Sequence, residues 1–88
     1  MKTLWTEKAW EDYLYWRRND PDVFEKINAL IEDIGRSPFR GLGKPEALKF
    51  ALSGWWSRRI TQEHRLVYRL SGKRGQQVWE IAQCRYQY

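Results

Sequence analysis

The sequence is poor in the residues that cross-link chains, hold metals or span lipid. Its 88 residues include one cysteine, Cys84, and one histidine, His64. An internal disulfide cannot form, and a lone Cys with a lone His cannot build a Cys/His zinc site. No apolar run approaches the about 20 residues that a membrane helix needs, and the N-terminus lacks the apolar stretch of a secretory signal. Carboxylates are scarce where cations are dense. Residues 35–88 hold eleven Lys/Arg against Glu46, Glu63 and Glu80, net +8, whereas residues 1–34 hold five against eight, net −3. Two-metal nuclease chemistry needs several converging carboxylates, which three scattered ones do not offer. No cofactor or metal is expected. With no repeat, linker or low-complexity tract, one domain over residues 1–88 and a cytoplasmic setting are expected, with no membrane partner.

Aromatic side chains and positive charge are plentiful. Aromatics make up 16% of the chain, six of them Trp, beside 42% hydrophobic and 31% charged residues, a balance that excludes intrinsic disorder. The charge split points to one face that meets a polyanion: nucleic acid first, an acidic protein second.

Lys2–Trp5 reads as a short edge strand. Thr6 suits the N-cap of a helix running to about Asn19, with Glu7 favourably placed in the first turn. Asp20 then Pro21 reads as N-cap plus N1 of a second helix, carried by Val23, Phe24, Ile27, Leu30, Ile31 and Ile34, with Gly35 at C′. Arg36–Leu48, with two Pro and two Gly, reads as a loop. Beyond it the period becomes 2. Lys49–Leu52 and Trp55–Ile60 flank a two-residue turn at Ser53-Gly54, and Arg65–Leu70 and Gln76–Tyr86 are further strands. The expectation is an α+β domain in which two N-terminal helices cover one face of a small, mainly antiparallel sheet. The other face carries Arg58 or Arg59, Arg65 or Arg69, and Arg85, according to register. Trp5, Trp10, Trp16 and Trp79 are expected in core or interface packing. Of the adjacent Trp55 and Trp56 one points to each face, and the outward one is available for a homodimer or for RNA.

Several chemistries drop out. Gly41, Gly43, Lys44 and Pro45 resemble a phosphate loop only superficially, with Pro where Ser or Thr should hold magnesium. The dinucleotide fingerprint fails because Glu46 stands where its third Gly belongs. Cys84 in mid-strand reads as a small buried hydrophobe, and His64 as a turn residue away from the C-terminal motif. What remains is metal-free work on a phosphate. RNA cleavage needs a base for the 2′-OH, cations around the phosphorus centre, and an acid for the leaving oxygen. Glu46 lies just before the first sheet strand, with Lys44 and Lys49 close by in sequence. Arg59 and Arg65 lie on adjoining strands where two guanidiniums can converge on one phosphate, and Tyr86 and Tyr88 can stack on a base or give a proton.

The stretches LWTEKAWEDYLYW (4–16), KIN-LI-DI-R-PF-G-GKPE-LK (26–49), LSGWWSRRITQEHRLVY (52–68) and CRYQY (84–88) carry a resemblance over nearly the whole chain. The chain resembles the YoeB toxins of the RelE-like superfamily of bacterial type II toxin–antitoxin systems. That resemblance implies a microbial ribonuclease-like fold. It also implies cleavage of messenger RNA in the A site of the 70S ribosome, by 2′-OH attack that leaves a 2′,3′-cyclic phosphate. Glu46 is then the general base, Arg65 and Arg59 the clamps of the transition state, and Tyr88 the functional terminal tyrosine. Lys49 is a phosphate contact, with Lys44, Arg58, Arg85 and Tyr86 as further RNA-binding candidates. The resemblance also implies a YefM-like acidic antitoxin as partner.

One position departs from the family. Its motif ends His-Tyr, the His serving as general acid, and here that place is Gln87. An amide cannot donate a proton with a useful pKa, although it can hydrogen-bond the leaving oxygen. Three alternatives stand: Tyr88 is the acid, the ribosome or a water supplies the proton, or the chain is a weakened toxin that mainly binds ribosome and antitoxin.

Overall fold

The computed structural model describes residues 2–73 and 75–87. Strand β1 (Lys2–Trp5) leads into helix α1 (Glu7–Asn19) and helix α2 (Pro21–Arg36); β2 (Glu46–Ala47), β3 (Trp56–Arg59), β4 (Arg65–Ser71) and β5 (Val78–Gln83) follow. The sheet order is β1-β5-β4-β3-β2, with β1 parallel to β5 and all other pairs antiparallel. None of the described helices is long and apolar enough to cross a membrane.

Both helix starts follow from their caps. The Thr6 hydroxyl accepts from the Ala9 N–H at 3.1 Å, and the Asp20 carboxylate accepts from the Val23 N–H at 3.2 Å ahead of Pro21. The end of α2 differs from expectation. Gly35 stays helical and the Ser37 N–H closes the last turn on the Asp33 carbonyl at 2.8 Å. The helix thus runs two residues past Ile34, and the loop that follows folds back so that the Leu42 N–H meets the Asp33 carboxylate at 3.0 Å.

Core packing explains why the helices cover only one face. Ala9, Trp16, Ile27, Leu30 and Ile34 meet Leu66, Tyr68, Trp79 and Ile81 in one buried cluster. Each fully buried Leu or Ile there contributes about 1.5–3 kcal/mol. Trp16 and Trp79 are buried as expected, whereas Trp5 is half-buried and Trp10 exposed, stacked edge-on at 5.8 Å.

The expected strand at Lys49–Leu52 is absent. Phe50–Leu52 form a 3-10 turn, and it is Glu46–Ala47 that pair with Trp56 and Ser57. The Leu48 N–H closes this wider hairpin on the Trp55 carbonyl at 2.9 Å. The pattern around Leu48–Leu52 is apolar and short, and such a run does not separate strand from turn.

Candidate functional site

Register decides which cations can meet a ligand. Arg58 pairs with Leu66, and Trp56 with Tyr68, on the helix-covered face; Arg59 pairs with Arg65, and Glu46 with Ser57, on the open one. Arg58 is therefore a correction to the sequence reading. It is wholly buried and cannot contact RNA. Its Nη1 donates to Asp33 Oδ2 at 2.6 Å and to the Leu42 carbonyl at 3.2 Å. Its Nη2 donates to the Ser37 and Arg40 carbonyls at 2.5 and 2.9 Å, and Nε to the Tyr68 hydroxyl at 3.1 Å. Tyr68 Oη in turn donates to the Pro38 carbonyl at 2.7 Å. All five N–H groups of a guanidinium lie in one plane, so a single Arg can tie helix, sheet and loop together. The hydrogen bond from Arg58, followed by one from the Leu42 N–H, holds the Asp33 carboxyl below the usual carboxylate range. Burial pushes the Tyr68 hydroxyl above its ordinary value.

This knot fixes the loop that delivers Lys44 and Glu46. Gly43 lies so close to β3 that a Cβ there would stand 2.9 Å from the Arg59 carbonyl, and its φ of +79° is one that glycine adopts without strain. The Gly43 carbonyl accepts from the Arg59 N–H at 2.6 Å. Lys44, Glu46, Lys49 and Arg59 are all exposed. From strand spacings, Glu46 lies diagonal to Arg59 at about 8 Å between Cα positions, and about 12 Å from Arg65. Long side chains can reach into such a gap from both sides.

Arg65 is half-buried, and its Nη1 donates to the carbonyls of Thr61, Gln62 and His64 at 2.7, 3.1 and 3.0 Å. It thus braces the β3–β4 turn as well as facing the open side. Arg59 and Arg65 stand directly opposite, an arrangement of like charges that costs stability unless an anion lies between them. Arg69, also on the open face, is already satisfied by Glu80 at 3.0 Å and by the Trp55 ring at 4.4 Å. Trp56 packs on Phe39 at 4.7 Å, so the two adjacent tryptophans do part to opposite faces.

The C-terminal segment runs beside Arg65. The Arg65 N–H donates to the Tyr86 carbonyl at 3.0 Å, and the Tyr86 N–H donates to His64 Nδ1 at 2.7 Å. His64 is therefore a turn residue, as expected, yet not remote from the C-terminal motif. Its ring rests on Trp16 at 4.7 Å, whose Nε1 donates to the Cys84 carbonyl at 2.8 Å. Arg85 is half-buried and stacks between Tyr15 at 3.5 Å and Tyr86 at 4.6 Å. Its charge is thus held against rings. Tyr86, at φ +64°, and Gln87 are exposed; Tyr88 lies outside the described residues. Sequence reasoning missed His64 as a clamp, because a contact 22 residues away leaves no periodic trace.

Cys84 is buried at the junction of α1 and the C-terminal segment. Burial, then the Asp12 carboxylate, pushes its thiol up to about 12, so it is no nucleophile. Among the described residues no three His, Cys, Asp or Glu side chains gather as a metal site.

Comparison with known proteins adds to this geometry. Residues 5–88 match the family model of the YoeB-like toxin of bacterial type II toxin–antitoxin systems. The chain is 54% identical to Toxin YoeB of Escherichia coli K12 over 88 residues, all of both chains. Its structure is similar to that of a YoeB/ParE toxin from Agrobacterium tumefaciens, with a TM-score of 0.95 and 55% identity over all of both chains. YoeB of Staphylococcus aureus, solved as a dimer and as a heterotetrameric complex with the antitoxin YefM, superposes with a TM-score of 0.88 at 42% identity, covering 100% of this chain and 98% of that one.

Proposed function

The chain belongs to the YoeB-like toxins of bacterial type II toxin–antitoxin systems, and from that membership we propose that it is a ribosome-dependent endoribonuclease that cleaves messenger RNA in the A site. The observation that carries the reading is the shared open face. Glu46, Arg59 and Arg65 stand on it in adjoining register, and the C-terminal segment is hydrogen-bonded alongside Arg65.

In this reading the Glu46 carboxylate takes the proton of the 2′-OH. The new bond from O2′ to phosphorus forms as the bond to O5′ breaks, leaving a 2′,3′-cyclic phosphate and a 5′-hydroxyl. Arg59 and Arg65 hold the negative charge that gathers on the phosphoryl oxygens, with Lys49 and Lys44 adding long-range attraction. The departing O5′ needs a proton that the Gln87 amide cannot supply; Gln87 can still orient that oxygen, while Tyr88, the ribosome or a water gives the proton. No metal enters any step.

The partners follow from the same surface. A YefM-like acidic antitoxin suits a region of net +8, and charge complementarity of this kind speeds association. Self-association as a dimer is proposed by analogy with the Staphylococcus aureus protein. Gln87 favours a second reading, a slow toxin that serves mainly as a ribosome and antitoxin ligand, because losing the general acid costs about 10²–10⁴-fold. Induced expression tests the first. Growth arrest is expected from the wild-type chain and relief from Glu46→Ala and from Arg65→Ala. Undiminished arrest by both variants would overturn it.

A further inference from the structure

Phe50 has no structural reason to be aromatic. It is 93% exposed, and its backbone takes φ +56°, a left-handed conformation that a bulky side chain disfavours. The turn it occupies is held by main-chain bonds alone: the Leu52 N–H donates to the Lys49 carbonyl at 3.2 Å and the Ser53 N–H to the Phe50 carbonyl at 3.0 Å. A glycine would make the same bonds without strain. The ring therefore costs the fold both conformational energy and exposed apolar surface, and the fold receives nothing in return.

Its neighbours indicate what it faces. Phe50 and Glu46 line one open cleft of about 390 Å³ together with Ala47, Leu48, Lys49 and Leu52. Exposed Lys49 lines that cleft and suits a phosphodiester chain. A flat ring beside cations is how proteins hold unpaired nucleic acid, since every base offers a π-face for stacking while lysines follow the backbone.

We propose that Phe50 is a base-stacking residue that holds an unpaired nucleobase of the RNA strand next to the phosphate facing Glu46. The inference rests on the RNA-cleaving reading above and assigns to it a subsite on the β2–β3 turn. The stack fixes the strand so that the 2′-OH lies over Glu46, and it acts through binding, not through proton transfer.

The test uses 70S ribosomes programmed with an mRNA 2′-O-methylated in the A-site codon, which the protein can bind but not cut. Wild-type protein is compared with Phe50→Ala, Phe50→Leu, Phe50→Trp and Phe50→Gly. Alanine and leucine are expected to weaken binding by about 5- to 150-fold, the range of one base–aromatic stack, while tryptophan restores it. All four should fold, because the ring is exposed, and Phe50→Gly should melt at or above the wild-type temperature while binding as weakly as Phe50→Ala. Binding by Phe50→Ala within twofold of wild type, or by Phe50→Leu equal to Phe50→Trp, would overturn the proposal. So would variants that lose only antitoxin affinity, which would make Phe50 a protein contact. Cleavage of the unmethylated mRNA by wild type is read separately. Its absence would defeat the enzymatic reading, whereas the aromatic dependence of binding decides the stacking subsite.

Discussion

Replacing Arg58 separates a structural arginine from an RNA-binding one. Arg58→Ala leaves Asp33 and the carbonyls of Ser37, Arg40 and Leu42 without their donor, in a region where Arg58 itself is 0% exposed. Each partly buried carbonyl left without a donor costs about 1–3 kcal/mol, so three losses near the lower end of that range come to about 3–5 kcal/mol. For a domain of this size that lowers the melting temperature by about 12–40 °C. It lowers the urea midpoint by about 2–3 M at an ordinary denaturant slope. Arg58→Lys keeps the charge against Asp33 but cannot reach all the loop carbonyls, so it should fall between. The assay is urea unfolding followed by tryptophan fluorescence. An RNA contact predicts the reverse, unchanged unfolding with weaker ribosome binding. Midpoints of both variants within about 0.3 M of wild type would refute the knot. The same ion pair sets an acid limit. Asp33 has a lowered native pKa, so its contribution is complete above the ordinary carboxylate value of about 3.9 and is lost as pH falls through the lowered one. Asp33→Asn should remove that acid-dependent loss.

Three further outcomes are expected. His64→Ala frees the Tyr86 N–H and should cost about 10- to 100-fold in cleavage through misplacement of the C-terminal segment. His64→Asn, which also presents an acceptor there, should recover most of it, and equal loss in both would remove the clamp from the account. Gln87→His should raise cleavage on programmed ribosomes at least about tenfold by restoring a general acid, with antitoxin affinity unchanged; no change would place the acid elsewhere. Cys84, with its thiol pushed up to about 12, should react with a disulfide reagent at pH 8 only as fast as the protein opens. Immediate labelling of native protein would contradict its burial.

Local chemistry was legible in the sequence; long-range pairing was not. Thr6 and the Asp20–Pro21 step announce both helices because a cap is written in adjacent residues. Gly35 misled, since a glycine near a helix end marks a stop only if the chain turns left-handed there, and here the helix runs on to Arg36. Arg58 and Arg59 are indistinguishable by type. Only the register of β3 against β4 buries one and exposes the other, and that register is set by the turn in which the Ile60 N–H closes on the His64 carbonyl at 3.0 Å. Glu46, Arg59 and Arg65 were proposed by motif, and the register of the sheet places them on one face. The link from His64 to Tyr86 and the isolation of Phe50 needed coordinates, because neither follows from periodicity.

On the proposed function, this open face cuts messenger RNA on the ribosome. Primer extension on a defined mRNA, carried by 70S ribosomes with a chosen codon in the A site, tests it most directly. Cuts are expected to be confined to that codon, absent on naked mRNA and absent with Glu46→Ala. A full-length product at high protein concentration, with ribosome binding intact, would contradict it.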